Sequence, residues 1–445
     1  TDAVGNLGTS NAVTWTLDTV APTVTIGSTG GATNARSQTI TGSIGVADAG
    51  RTISLFAGTT ALGTTTADAS GHWSATVMLP DVQGAQTVTA KATDAVGNLG
   101  TSNAVTWTLE KPNTFSDFTG DHKSDILVRN GSGTTSLRSM NGATVTKETM
   151  TSVQVGPNWQ IAAIADFDGD RKSDLLWVYD NAKNPSDPLE GTSYIWLQDG
   201  ATVGAGSDVV QQLSNDWRLV GVGDFDGDGK ADTLYRDTSS GQTWVDIMNG
   251  PAIDWSRSGF TSGLVADPDW TVAAVADFDG DGRADVLWRY DDAANPSDPL
   301  NGNLYEWKMN GTTVSDTRPI SRQVSDAWQV TGTGDFDGNG TADILLRYEN
   351  ASNTSDPLNG ATYIDFMNGT TVASGAPTQW QADTAWQVAS IGDFDGDGKS
   401  DILWRQTATG DSYLWTMNGA SVTAGGHTSQ QVGLDWTIQS GVHMG

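Results

Sequence analysis

Residues 224–232 read DFDGDGKAD, and five near-copies of this nonapeptide start at Asp117, Asp166, Asp277, Asp335 and Asp393. Successive starts lie 49, 58, 53, 58 and 58 residues apart, in order along the chain. A fixed period of this size marks a repeat architecture in which one supersecondary unit is stacked many times. Within each copy oxygen donors fall on every second residue. Position 1 is Asp117, Asp166, Asp224, Asp277, Asp335 and Asp393, and position 3 is Thr119, Asp168, Asp226, Asp279, Asp337 and Asp395. Position 5 is Asp121, Asp170, Asp228, Asp281, Asn339 and Asp397. Position 7 offers the backbone carbonyl of Lys123, Lys172, Lys230, Arg283, Thr341 or Lys399. Position 9 is Asp125, Asp174, Asp232, Asp285, Asp343 and Asp401. A short loop with this many hard oxygens and glycines such as Gly227 and Gly229 to let it curl suits Ca²⁺, which takes about six to eight oxygen ligands. Mg²⁺ fits less well, because it holds its water and demands a stricter octahedron. The expectation is therefore about six calcium sites, with the Thr119 and Asn339 loops each one charge poorer and weaker.

An EF-hand is excluded by the twelfth position, which must be a bidentate Glu but is Val128, Trp177, Tyr235, Trp288, Leu346 or Trp404. The flanks are short runs rich in Val, Ile, Trp and Tyr, such as WQIAAIADF and ADVLWRY, which read as strands. Each unit then carries a third run (TSYIWL, NLYEWKM, DSYLWTM) and a tight turn at Asn141-Gly142, Asp199-Gly200, Asn249-Gly250, Asn310-Gly311, Asn368-Gly369 or Asn418-Gly419. Asn-Gly between strands is a strong hairpin signal, because both residues tolerate positive φ. Four antiparallel strands per unit, repeated radially, predict a β-propeller. Trp159, Trp217, Trp270, Trp328 and Trp386 each stand seven residues before a loop, and Trp436 opens one more such run that ends without a loop. The first loop has no Trp run before it, only Lys111 and Pro112. The C-terminal run is therefore expected to pair beside the first unit and close a six-bladed ring.

Over residues 117–445 these features resemble the FG-GAP or VCBS type of repeat, the calcium-loop propeller unit of integrin α heads, some lectins and many bacterial surface proteins. Residues 1–17, TDAVGNLGTSNAVTWTL, recur letter for letter at 93–109. The 92-residue offset is the size of one small β-sandwich. Residues 19–110, with DTVAPTVTIG and TDAVGN, resemble the immunoglobulin-like repeats of bacterial adhesins. That resemblance implies that residues 1–18 are the last strand of a preceding copy, and that modules of this kind form stalks, often with calcium at their junctions. Asp94 and Asn98 fit such a junction, and equally a Gly turn built by Asx residues. Residues 111–116, EKPNTFS less its first letter, form a short connector. The fold class expected is all-β: an immunoglobulin-like sandwich followed by a six-bladed propeller closed by the C-terminal strand.

The formal charge is −30, and 22 of the 53 acidic residues lie in the six loops, so much of this acidity is ligand charge. The remainder still disfavours nucleic acid, whose phosphates it would repel. No apolar run is long enough to span a membrane, and cysteine is absent, so bound calcium would do the cross-linking that disulfides do elsewhere. The four histidines are scattered and neither HExxH nor GxSxG occurs, which argues against an enzyme. Three repeats carry a longer loop with NPSDPLEG, NPSDPLNG or NTSDPLNG, placing Asp187, Asp298 and Asp356 as candidate ligand contacts or as turn residues. Arg289, Arg347 and Arg405, with Arg129 and Arg236, share one position of the second strand and are candidates for gripping an acidic or sugar ligand, or for packing between blades. The expected role is an extracellular, secreted or bacterial cell-surface recognition module for a glycan or surface protein. The alternatives are a structural subunit of a surface layer or filament that assembles with its own copies, and an accessory domain of a secreted enzyme.

Overall fold

The computed structural model describes residues 3–5, 7, 9–33, 37–80, 84–109, 116–180, 187–209, 216–263, 267–292, 294–295, 298–320, 325, 327–350, 352–369 and 371–440. The chain divides into two compact units, Thr1–Glu110 and Lys111–Gly445. The expected connector at 111–116 lies outside the described residues except for Ser116.

The first unit is built of alternating strands. Val24–Ile26, Ser37–Ile44 and His72–Met78 form one sheet, and Gly31–Thr33, Val105–Leu109, Gly84–Thr93, Thr52–Ala57 and Thr60–Thr66 form the other, with Leu99–Thr101 paired to Gly84–Thr93. Alternate residues such as Ile53, Leu55 and Ala57 turn inward and meet Ile40, Trp73, Val88 and Trp107 in one apolar core. The duplicated segment behaves differently in its two copies. Val105 and Trp107 are buried, whereas their counterparts Val13 and Trp15 are exposed and lie in no strand. Asp94 accepts hydrogen bonds from the backbone N–H of Val96, Gly97 and Asn98 and from the Asn98 amide at 2.8 Å, an Asx turn whose Asn98 amide also donates to the Asp18 carbonyl at 3.2 Å.

The second unit is a succession of antiparallel four-stranded sheets of propeller type, with the strand order following the chain. Sheet two comprises Trp159–Ala165, Asp174–Tyr179, Ser193–Asp199 and Thr202–Val209. Sheet four comprises Trp270–Ala276, Asp285–Tyr290, Leu304–Asn310 and Thr313–Pro319. Sheet five comprises Trp328–Gly334, Asp343–Tyr348, Thr362–Asn368 and Thr371–Pro377, and sheet six Trp386–Gly392, Asp401–Gln406, Ser412–Asn418 and Ser421–His427. Sheet one is assembled from both ends of the unit: Thr144–Met150, Thr135–Asn141 and Ile126–Asn130 are completed by Trp436–Gln439, whose Ile438 pairs with Val128.

Sheet three departs from the pattern. After Trp217–Gly223, Asp232–Asp237 and Thr243–Asp246, the turn at Asn249-Gly250 joins a separate two-residue hairpin, Met248–Asn249 with Ala252–Ile253. The fourth strand of the sheet is then only Gly259–Phe260.

Each sheet buries both faces, so its second strand is a continuous buried run, as in Asp285–Tyr290, all six residues of which are buried, Asp285 and Arg289 included. One apolar layer lies between each pair of consecutive sheets. Phe225, Val245, Trp288 and Trp307 join sheets three and four, and Phe394, Leu414, Val128 and Ile438 join sheet six to sheet one. We call these layers seams.

Candidate metal centre

Five of the six loops connect the first and second strands of their sheet, whereas the first, 117–125, leads only into Ile126–Asn130, whose outer neighbour is Trp436–Gln439. Backbone hydrogen bonds shape each loop before any ion is considered. The position 1 carboxylate is clamped from inside the loop: Asp224 Oδ1 accepts the Gly227 N–H at 2.7 Å and Oδ2 the Gly229 N–H at 2.8 Å. Gly227 and Gly229 lie at φ 79° and 88°, the left-handed region the curl requires. In the first and second loops the residue at the second of these places is His122 or Arg171, held at φ 64° and 69°. The position 9 carboxylate anchors the loop to the sheet. Asp232 Oδ2 accepts from Phe225 N–H at 3.0 Å and Oδ1 from Met248 N–H at 2.8 Å, and Asp125, Asp174, Asp285, Asp343 and Asp401 repeat both bonds.

This arrangement brings three carboxylates together in five loops. The groups are Asp166, Asp168 and Asp174; Asp224, Asp226 and Asp232; Asp277, Asp279 and Asp285; Asp335, Asp337 and Asp343; and Asp393, Asp395 and Asp401. In each group the ligand oxygens lie within 4.8 Å of one another, a spread that oxygens about 2.3 to 2.6 Å from one cation would occupy. The donor set is oxygen only, which suits a hard cation rather than zinc or copper. Five clusters able to hold a metal ion are thus present. The position 5 carboxylates stand apart from these triads and instead accept the backbone N–H two residues on, as Asp170 does from Lys172 at 2.8 Å and Asp397 from Lys399 at 2.8 Å.

The first loop keeps Asp117 and Asp125 with the same bonds, Asp117 accepting from Gly120 and His122 and Asp125 from Phe118 and Met140. Its Thr119 hydroxyl is buried without a hydrogen-bond partner, an orphaned oxygen at position 3. In the fifth loop Asn339 Oδ1 accepts from the Thr341 backbone N–H at 2.7 Å. The side chains at position 7 of Lys123, Lys172, Lys230, Arg283 and Lys399 reach over a glycine in the loop of the preceding sheet, Lys123 closing over Gly396.

Charge is concentrated here at a cost. Burial, reinforced by neighbouring carboxylates, pushes Asp174, Asp232, Asp343 and Asp401 up to about 8, Asp285 to about 9 and Asp125 to about 7. The position 1 residues Asp224 and Asp335 are raised to about 6 and Asp277 to about 7 for the same reasons. Without a counter-charge these loops hold protons near neutrality, and a divalent cation would replace those protons.

The loops are also the stitching of the seams. The position 1 carbonyl accepts a backbone N–H from position 8 of the following loop: Ser173 to Asp117, Ala231 to Asp166, Ala284 to Asp224, Ala342 to Asp277, Ser400 to Asp335 and Ser124 to Asp393, each at 2.7 or 2.8 Å. The position 2 carbonyl accepts from the glycine of the following Asn-Gly or Asp-Gly turn, from Gly200 to Phe118 round to Gly142 to Phe394. Sequence reasoning picked out these carboxylates but not the hydrogen bonds between loops, which depend on neighbours in another repeat.

The other candidates are held internally. Asp187 and Asp356 each accept from the hydroxyl of Tyr179 or Tyr348 and from the N–H of Leu189 or Leu358, and Asp298 accepts from Leu300 N–H at 2.8 Å. What these loops expose is Leu189, Leu300 and Leu358, each about half exposed. Of the NPSDPLEG loop, residues 181–186 lie outside the described residues. Arg289 and Arg347 are buried and reach the next sheet, Arg289 donating to the Trp328 carbonyl and Arg347 to that of Asp383 at 3.0 Å. Arg405 donates to the carbonyls of Gly433 at 3.0 Å and Trp436 at 2.6 Å, so it ties sheet six to the last strand.

The sequence profile of the FG-GAP-like repeat matches residues 117–177, 224–288 and 277–346. FG-GAP-like repeats are therefore present in the second unit. No curated protein sequence matches the chain. Among solved structures, AztD of Citrobacter koseri is similar at 11% identity with a TM-score of 0.34, covering 95% of this chain and all of that one. A calcium structure of a Trichoderma reesei Carbohydrate-Active Enzymes Family AA12 protein is similar at 12% identity and a TM-score of 0.34, covering 67% and 87%. Dipeptidyl peptidase 4 of Porphyromonas gingivalis is similar at 11% identity and a TM-score of 0.31, covering 79% and 49%. Likenesses this distant carry no functional argument. No helix among the described residues is long and apolar enough to cross a membrane.

Proposed function

We propose that residues 117–445 form a closed six-bladed propeller whose loops bind calcium, and that the chain is a non-enzymatic, extracellular recognition module. In this reading residues 19–110 are an immunoglobulin-like stalk module. The observation that carries the reading is the position of the loops: the carboxylate triads lie on the same segments that bind each sheet to the next. An ion at position 1, 3 and 9 oxygens neutralises buried charge where it most weakens the ring, so calcium would set the rigidity of the whole disc. When bound, it supplies charge neutralisation and cross-linking, and no chemistry beyond that.

The partner is a surface protein or glycan. Asp187 and Asp356 are turned to Tyr hydroxyls and, like Asp298, to their own loop backbone, and Leu189, Leu300 and Leu358 remain outside; this supports an apolar protein contact over sugar hydroxyls. The test is a screen of the whole chain against cell-surface proteins and a glycan array, in millimolar calcium and in chelator. Calcium-dependent capture of a defined ligand is the expected result. Concentration-dependent polymerisation in calcium with no ligand would instead favour a self-assembling subunit.

A further inference from the structure

The third strands of the sheets are aligned by their Asn-Gly or Asp-Gly turns, and in sheet four that strand, Leu304–Asn310, carries two charges that its counterparts lack. Glu306 stands where the other sheets have Leu137, Ile195, Val245, Ile364 and Leu414. Lys308 stands where they have Ser139, Leu197, Ile247, Phe366 and Thr416. Two residues apart on a strand, the pair shares one face, the face whose Leu304 packs with Ile344 and Leu346 of sheet five. Glu306 is fully buried, and neither of its carboxylate oxygens accepts a hydrogen bond from the described residues. Its cross-strand neighbour Arg318 is taken up by Asp316 at 2.8 Å. The Lys308 ammonium is instead on the fourth loop, bonded to Asp279 Oδ2 and 3.1 Å from Asp281 Oδ2. A carboxyl is thus buried with no hydrogen bond from the described residues, while a counter-ion two residues away is bonded to a carboxylate of the fourth Asp cluster.

Resting on the calcium reading above, we propose that Lys308 is a resident cation of the fourth loop and that a calcium ion entering it transfers the ammonium to Glu306. Asp279 cannot serve the ammonium and the ion equally well, because both draw on the same carboxylate. Buried Glu306 offers the displaced ammonium a charge-assisted acceptor in an apolar setting. The span is within reach, since residues i and i+2 of a strand are about 6.7 Å apart and a lysine stem is flexible. The fourth loop therefore exchanges one cation for another, and occupancy there rearranges the seam between sheets four and five. Sheet three has a relative of this device that is already committed: Arg257 bonds Asp226 of its loop and also Asp254, at 2.8 Å.

The test is calorimetric titration of the calcium-stripped full chain with Ca²⁺ alone, for the wild type, Lys308→Met, Glu306→Gln and the double variant. Removing the competing ammonium should tighten one equivalent of calcium by about tenfold, the size of one charge-assisted bond. Glu306→Gln should weaken one equivalent by a similar factor when Lys308 is present and have little effect when it is combined with Lys308→Met. An unchanged titration in Lys308→Met, or a Glu306→Gln effect of equal size with and without that second substitution, would overturn the transfer while leaving calcium binding intact. A wild-type chain that takes up no calcium would overturn both readings. Lys308 is partly exposed, so folding should survive its replacement; Lys308→Gln serves as a second variant, with the same outcomes.

Discussion

The seam between sheets five and six and the seam between sheets four and five use the same backbone and opposite contents. In the first, Trp404 and Trp415 pack at 4.7 Å against Ile364 and Phe336. In the second, the corresponding places hold Leu346 and Asp365 from sheet five and Glu306 from sheet four, all fully buried. Trp177 with Trp196 and Trp288 with Trp307 repeat the paired indoles at 4.8 Å in the seams between sheets one and two and between three and four. Yet the loop-to-loop hydrogen bonds are the same in both kinds of seam, Ser400 to Asp335 and Ala342 to Asp277. The difference teaches that sheet-to-sheet geometry is set by the backbone of the Asp-rich loops, and that side chains between the sheets are free to specialise.

Calcium removal should have the largest effect and should not distinguish the two seams. Each loop at a free ion concentration of about 100 times its dissociation constant adds about 2.7 kcal/mol, so chelation should lower the melting temperature steeply. Hydrogen exchange at the Ala342 and Ser400 amides should accelerate together; protection lost at one and kept at the other would break the comparison. Next comes the indole pair. Trp404→Ala should cost about 3 to 5 kcal/mol in denaturant unfolding with calcium present, at or above the cost of about 2 to 5 for Leu346→Ala.

Glu306→Leu should act in the opposite direction, stabilising the calcium-free chain by about 1 to 4 kcal/mol, because it replaces a buried carboxyl that accepts no hydrogen bond from the described residues. Its sign depends on pH. Burial, with repulsion from Asp279, raises the carboxyl from 4.5 to about 7 in the folded chain. The native state therefore holds a proton that the unfolded state has released, and wild-type stability falls as pH rises from about 4.5 through 7. The advantage of the Leu variant in chelator should widen between pH 5 and pH 8, and a constant difference would refute the assignment. The smallest effect is expected at the loop curl. His122→Gly and Arg171→Gly should each stabilise by about 0.5 to 1 kcal/mol by relieving a left-handed non-glycine residue, measured by thermal melting.

Much of the second unit was legible because its signals are local. The alternation of Asp in 224–232 placed the triads, and counting seven residues on from Trp436 led to a strand without a loop, which pairs with Ile126–Asn130. What stayed hidden is relational. The second-strand arginines look alike in sequence, and only the fold shows them donating to carbonyls of the next sheet. Glu306 and Lys308 read as ordinary strand-surface charges until the strand is seen to be enclosed on both sides. Arg171 in place of glycine gives no hint of its φ of 69°. The short fourth strand of sheet three follows a turn dipeptide like the others, and the different hairpin there involves Pro251 and the Asp254 turn that follows.

The pairing of Trp436–Gln439 with Ile126–Asn130 also fixes an order of events during synthesis. The opening sheet of the second unit waits, while roughly three hundred further residues emerge from the ribosome, for the strand that covers its edge. Until then Ile126–Asn130 presents unpaired amides and carbonyls to anything strand-shaped nearby, a neighbouring nascent chain included. A stall late in translation would leave that edge bare for longest.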